Sequence, residues 1–240
     1  MSKPTQIRPG PVADVPRARQ VLRSTPVFAS LSVKIHEALA STMAPRDYSA
    51  GQILCTEGDA GSSLFVLETG WVKAVRMTEG GREQAVNVMR DGEVFGAETV
   101  FTQAPYPLTV IALESVTAWR IDGAALTALV SRHPPLALAC LDHLGMRARY
   151  YIQLVEDLSL RSVPARLAST LLSHAESRDG QFIVPRRAWT TLDEMAARLG
   201  TVRDVLSRAI STLEGEGLLR LERDRIILVD PKKLLDRGRA

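Results

Sequence analysis

The apolar period changes several times along the chain, and each change predicts a different element. Residues 1 to 24 show no period; rich in Pro, Arg and small polar residues, they read as a flexible tail. Val27, Phe28, Leu31, Ile35, Leu39 and Met43 then recur at helical spacing and predict a short helical lead-in from Pro26 to Met43. From Arg46 to Ile121 the period becomes strand-like. Tyr48, Ile53, Leu64–Leu67, Trp71–Val75, Ala85–Val88, Leu108–Ala112 and Thr117–Ile121 are short β segments, punctuated by glycines at 51, 58, 61, 70, 80, 81, 92 and 96. Many short strands with glycine turns predict a barrel or jelly roll with a cavity.

Pro134 and Pro135 fit the opening of a helix, where a missing N–H does no harm. Ala137, Leu141, Leu144, Ala148, Tyr151, Val155 and Leu158 follow at alternating spacings of 4 and 3, a heptad seam over about three repeats. This predicts a dimerisation helix over 135–160; the competing reading is a helix packed only on its own barrel. Pro164 marks its end, and Ala165 to His174 begins a further domain.

Between Thr191 and Leu213 the sequence reads as two short helices around one sharp turn. Thr191 with Glu194, and Thr201 with Asp204, match the capping-box pattern. Leu192, Met195, Ala196 and Leu199 form one apolar stripe; Val202, Val205, Leu206, Ala209, Ile210 and Leu213 form the second. Gly200 stands where the first helix must stop. This is a helix-turn-helix pattern, and the polar face of its second helix carries Arg203, Asp204, Ser207 and Arg208. Arginine reads guanine O6 and N7 bidentately, an acid accepts from cytosine N4, and serine takes either role. Leu218 to Val229 reads as two short strands about an Arg-Asp-Arg turn, which adds a wing.

Composition changes this picture little. With 240 residues the chain suffices for two cores, and 45% apolar with 24% charged residues is a soluble, globular balance. The net charge of +3 is uneven: from Arg161 onward 15 Lys and Arg face 11 Asp and Glu, a modestly basic module suited to phosphate. No apolar run reaches membrane-spanning length and no signal peptide opens the chain, so no membrane role and a cytoplasmic location are expected. Cys55 and Cys140 are isolated, which argues against an iron–sulfur cluster and covalent haem. No P-loop, nucleophile–base pairing or metal-ligand spacing suggests an enzyme.

A strand-rich module, a seam helix and a winged helix-turn-helix in this order resemble the CRP/FNR family of catabolite-activator and fumarate–nitrate regulators. The resemblance runs from about Val27 to Val229. It is carried by Gly51 with Glu57-Gly58-Asp59, by Leu64-Phe65-Val66-Leu67 with Gly70, by Gly92-Glu93-Val94-Phe95-Gly96, and by Arg161-Ser162-Val163-Pro164-Ala165-Arg166-Leu167-Ala168. It implies an α+β protein: a cyclic-nucleotide-binding-like β-roll (a jelly roll) over 25–134, the dimerisation helix over 135–160, and a winged helix-turn-helix over 161–240. It also implies a homodimeric, sequence-specific transcription regulator with double-stranded DNA, a second copy of itself and RNA polymerase as partners. In the fumarate–nitrate branch, Glu-x-x-Ser-Arg reads a half-site resembling TTGAT. Asp204, Ser207 and Arg208 occupy those positions, with Thr201 and Arg203 beside them; Asp204, one methylene shorter than the family's Glu, either reads a base in its place or caps its own helix with Thr201.

The family's cyclic AMP site does not carry over. Cyclic AMP-binding members place Glu directly after the Phe-Gly pair and an Arg followed by Ser or Thr for the phosphate; here those positions hold Ala97, Tyr106 and Pro107. Glu98 is one residue out of place, facing away in a strand-like segment. Phe95, Ala97, Val100, Phe101, Tyr106 and Leu108 are left as an effector pocket suited to an apolar ligand. Phe95-Gly96-Ala97-Glu98 with Phe101 resembles the branch that senses nitric oxide through non-covalent haem b, with His36, His143 or Cys140 as candidate axial ligands and His133 a weaker one. Other readings are an effector-independent or cysteine-redox regulator of this family, and a sensor subunit with no DNA role.

Overall fold

In the computed structural model, which describes residues 14–77, 83–178, 180–187 and 190–239, the first helix lies inside the stretch expected to be a tail. Helix α1 spans Val15–Ser24. Asp14 accepts the Arg17 N–H at its N-terminus, and Ala18, Val21 and Leu22, at spacings of three and one, are buried. Arg17 donates twice to Glu68 at 2.8 Å, and Trp119 Nε1 donates to the same carboxylate at 2.8 Å. The tail reading is therefore corrected over 14–24; its remainder, like Gly80 and Gly81, lies outside the described residues. The lead-in is shorter than the periodicity suggests. Helix α2 covers Val33–Ala40, while Phe28 and Leu31 are buried in turns before it and Met43 already begins a strand.

The next elements build the roll: β1 (Met43–Tyr48), β2 (Ile53–Cys55), β3 (Ser63–Thr69), β4 (Trp71–Met77), β5 (Glu83–Arg90), β6 (Val94–Phe95), helix α3 (Ala97–Thr102), β7 (Thr109–Ala112), β8 (Val116–Asp122) and helix α4 (Gly123–Arg132). Two four-stranded sheets form, in the orders β1-β8-β3-β6 and β2-β7-β4-β5. Period-two alternation sends each strand's residues to opposite sides. Phe65, Leu67, Val116 and Ala118 join Leu54, Val72, Ala74, Val110 and Ala112 in a core between the sheets. Leu64, Val66, Trp119 and Ile121 face the other way, into a helical layer with α1, α2 and α4.

Helix α5 (Pro134–Leu160) follows, 27 residues long. The C-terminal elements are α6 (Val163–Ser173), β9 (Glu176–Arg178), β10 (Gln181–Pro185), α7 (Leu192–Arg198), α8 (Arg203–Gly215), β11 (Leu219–Leu221), β12 (Arg225–Leu228) and α9 (Pro231–Arg239). Their sheet runs β11-β12-β10-β9, and Leu167, Leu171, Leu206, Ile210, Leu213, Leu228 and Leu234 close one core with it. The chain divides into two units, Met1–Val75 with Val88–Arg147 and Arg76–Asn87 with Ala148–Ala240. The end of β4 (76–77) and the start of β5 (83–87) thus belong with the C-terminal elements, where Gln84 Nε2 donates to the Ala197 carbonyl at 3.0 Å.

The seam on α5 needs correction. Leu136, Cys140 and His143 are buried, and Leu144 packs against the helical layer of its own unit. Apart from Leu160 at the helix end, the apolar side chains of α5 more than 60% exposed are Leu138, Leu141, Ile152 and Val155, with the exposed Gly145 and Ala148 on the same line. At 3.6 residues per turn, the outward stripe replaces three seam members, Ala137, Leu144 and Tyr151, by their C-terminal neighbours. Leu158 is occupied too: its Cδ2 fills the space a side chain on Gly200 would need.

Candidate nucleic-acid interface and effector roll

The helix-turn-helix is assembled by one cap and one tight stop. Thr191 Oγ1 accepts the Glu194 N–H at 3.1 Å, as the capping box predicts. The expected second box is absent. Gly200 takes φ +64°, its N–H and that of Thr201 return to the carbonyls of Ala197 and Ala196, and this double closure ends α7. Thr201 is consumed in that turn, so Val202 becomes the N-cap of α8 with no side-chain cap bond, and Asp204 does not cap with Thr201. Leu206, Ala209, Ile210 and Leu213 face the core. Arg203, Asp204, Ser207 and Arg208 are all exposed, together with Val202 at 51%. Arg203 Nη1 reaches Asp193 of α7 at 3.3 Å, a solvent-exposed pair of little energetic weight.

The six effector-pocket candidates do not share one pocket. Phe95, Tyr106 and Leu108 line the core between the sheets, where Phe95 stacks on Phe65 with ring centroids 4.8 Å apart. Ala97, Val100 and Phe101 pack in the helical layer on the far side of the first sheet. The physical reason is local. Gly96 adopts φ +87° with no room for a Cβ against the Ser63 carbonyl, and the chain leaves the sheet as helix α3 instead of continuing as strand. Glu98 is therefore on a helix, the two-face argument against it fails, and its charge acts on the Cys55 thiol inside the roll.

Nor is the roll interior purely apolar. Arg120, on the same face of β8 as Val116 and Ala118, donates from Nε to Ser63 Oγ, while the Tyr106 hydroxyl donates to the Ser63 carbonyl at 3.1 Å. The Tyr48 hydroxyl is buried and no partner meets hydrogen-bond geometry. Burial raises its pKa, against the opposing pull of Arg46 and Arg120. Tyr48 also lines an open groove of about 260 Å³ with Asp47, Thr69 and Thr117. Sequence reasoning missed Arg120 and Ser63, although the alternation Val116, Ala118, Arg120 was a usable signal.

The candidate haem ligands do not converge on this interior. His36 donates from Nε2 to the Phe28 carbonyl at 2.8 Å and is 2% exposed on α2. His143 and Cys140 lie on the inward face of α5, in the helical layer; burial lowers the His143 pKa to about 4, with Arg147 adding to it, and pushes the Cys140 thiol up to about 11. His133 sits at the C-terminus of α4. Cys55 is inside the roll, and burial pushes its thiol up to about 12, which disfavours the thiolate a redox switch needs. Among the described residues no three His, Cys, Asp or Glu side chains come together as a metal site. No single described helix is long and apolar enough to cross a membrane.

Both halves of the chain match known families. The cyclic nucleotide-binding domain matches residues 45–133, and the Crp-like helix-turn-helix domain matches residues 165–237. The chain belongs to the CRP/FNR family of transcription regulators. The CRP-like cAMP-activated global transcriptional regulator of Mycobacterium tuberculosis is 26% identical to it over 222 residues, 92% of this chain and 99% of that protein. The transcriptional activator protein FnrA of Stutzerimonas stutzeri is 27% identical over 187 residues, 77% of this chain and 76% of that protein. FixK2 from Bradyrhizobium japonicum shares the fold with a TM-score of 0.73 at 18% identity, covering 82% of this chain and 98% of the other. This CRP/FNR member is thus a DNA-binding transcription regulator with an effector-binding domain, in a family of regulators and not of enzymes.

Proposed function

We propose that the protein acts as a homodimer whose two α8 helices read inverted, TTGAT-like half-sites about one helical turn apart, under control of an effector in the roll. The observation that carries this reading is the face of α8: four polar side chains stand in solvent while every inward residue closes the core. Arg208 takes the guanine, Ser207 a neighbouring base, and the exposed Val202 a thymine methyl. Arg203 exchanges Asp193 for a phosphate on binding. The exposed apolar line on α5 supports pairing with a second copy, because solvent otherwise covers Leu138, Leu141, Ile152 and Val155.

A selection from random duplexes tests the DNA reading. Arg208→Ala is expected to flatten the guanine column, at about 1–3 kcal/mol of discrimination. Arg203→Ala is expected to weaken all sites alike and lower the salt slope by about 1 per subunit. Full guanine preference in Arg208→Ala removes the assignment.

For the effector, the roll interior around Phe65, Phe95, Tyr106 and Arg120 offers an aromatic surface with one guanidinium. A haem there is not supported by the ligand geometry, since His36, His143 and Cys140 belong to the other layer. Cyclic AMP is also not the expected effector. Ala97 and Pro107 bring no hydrogen-bonding side chain, and the Tyr106 hydroxyl is already spent on Ser63. Calorimetry is expected to show no micromolar binding of cyclic AMP or cyclic GMP; micromolar affinity would place Arg120 and Glu98 in the roles left vacant.

A further inference from the structure

Arg186 lies in the link between β10 and α7, and its side chain reaches three backbone carbonyls on two pieces of chain. Nη1 donates to the carbonyls of Glu222 at 3.1 Å and Arg223 at 3.4 Å, and Nη2 donates to the Thr190 carbonyl at 3.1 Å. Its backbone N–H donates to the Asp224 carbonyl at 2.8 Å. The four bonds therefore bracket the turn between β11 and β12 and tie it to the residue before the Thr191 cap. The three acceptors of the guanidinium are all carbonyls, and its buried Nε meets no partner, so this cation shapes backbone and does not neutralise an acid.

The rest of the wing is fastened as well. Glu222 is held by Arg225 at 2.7 Å and by Arg220 at 3.2 Å. The Leu221 N–H donates to Glu214 Oε1 at 2.8 Å, which joins β11 to the last turns of α8. The backbone of the turn and one of its two acids are thus engaged, while Arg223 stands exposed at the tip beside Asp224.

We propose that Arg186 is a positioning residue for DNA binding: it holds the β11–β12 turn so that Arg223 meets a backbone phosphate of the duplex that α8 reads. The inference rests on the DNA reading above and adds a second contact to it. Arginine suits the task because its planar fork sends several N–H donors in fixed directions, whereas a lysine ammonium is a compact charge on a flexible stem. A wing so held meets the phosphate without first losing the freedom of its turn.

The test is fluorescence anisotropy of the full-length protein on a random-sequence duplex across a KCl series, which reads phosphate contacts independently of base recognition. With two wings per dimer, Arg223→Gln is expected to lower the log–log salt slope by about 2. Arg186→Gln and Arg186→Lys are expected to lower it by the same amount, and the Arg186→Gln/Arg223→Gln double variant to lower it no further. A native slope in Arg186→Lys would show that charge alone suffices, and twice the loss in the double variant would show that Arg186 touches phosphate itself; either overturns the proposal. Should the Arg186 variants fail to fold, Arg223→Gln, on an exposed tip, still decides, because a native slope there removes the contact that Arg186 is meant to position. Wild-type protein that binds no duplex at all overturns the DNA reading instead, before any variant is compared.

Discussion

Arg120 and Arg208 show how differently the two ends of the chain handle the same side chain. Arg208 stands in solvent on a helix whose opposite face closes a core, so its guanidinium is free for a partner. Arg120 points between two sheets and spends its Nε on Ser63, near a Tyr48 hydroxyl with no satisfied bond. In the C-terminal unit polar chemistry is what remains after the core is built. In the roll it is part of the core, so any effector must replace contacts the protein already makes to itself.

The contrast can be broken most forcefully at the aromatic stack. Phe65→Ala removes a 4%-exposed ring from the roll and is expected to cost about 3–5 kcal/mol of stability, read by urea unfolding. Arg208→Ala should leave the same unfolding curve within about 0.5 kcal/mol. Equal losses would dissolve the distinction between a face and a core.

Helix α5 sharpens it next. Ile152→Glu places an unpaired charge in the expected dimer surface, at about 3 kcal/mol or more, and sedimentation should show monomers of native fold. Leu144→Glu instead strikes the helical layer of its own unit and should lower the melting temperature of monomer and dimer alike. A stable Ile152→Glu dimer would move the interface off this stripe.

The smallest effect is one of pH. The His143 pKa is about 4 in the fold, below the ordinary value near 6.5, because burial and Arg147 oppose the charged form while Asp142 favours it. Between those values the unfolded chain binds more protons, so stability present above pH 6.5 is lost as pH falls towards 4. About 2 kcal/mol should disappear between pH 7 and pH 5, and His143→Leu should remove that part of the slope. Parallel slopes in the two proteins would refute a buried neutral imidazole.

The comparison also explains what the sequence could tell. α7 and α8 were legible because their apolar stripes, the Thr191 cap and Gly200 are local signals within some twenty residues. On α5 the expected seam and the observed outward stripe differ by one residue at Ala137, Leu144 and Tyr151, since a heptad and a straight helix share only part of their positions and packing against the chain's own core chose between them. Helix α1 was missed because its binding partner, Glu68, lies 51 residues away. That the six pocket candidates fall on two sides of one sheet was not legible, because α3 breaks the strand alternation at Gly96. Arg186 gave no signal at all: an Arg-Arg pair after a strand looks like a solvated link until β11 and β12 fold over it.

The Arg17–Glu68–Trp119 junction has an optical consequence. Trp119 is 0% exposed, donates its indole N–H to a carboxylate, and lies under a guanidinium 5.8 Å from the ring centroid. Its emission is therefore that of an indole held out of water, whereas Trp71 is only half buried. Any event that lifts α1 off the sheet would hydrate Trp119 and shift its colour, so the chain carries a native fluorophore at the seat of its first helix.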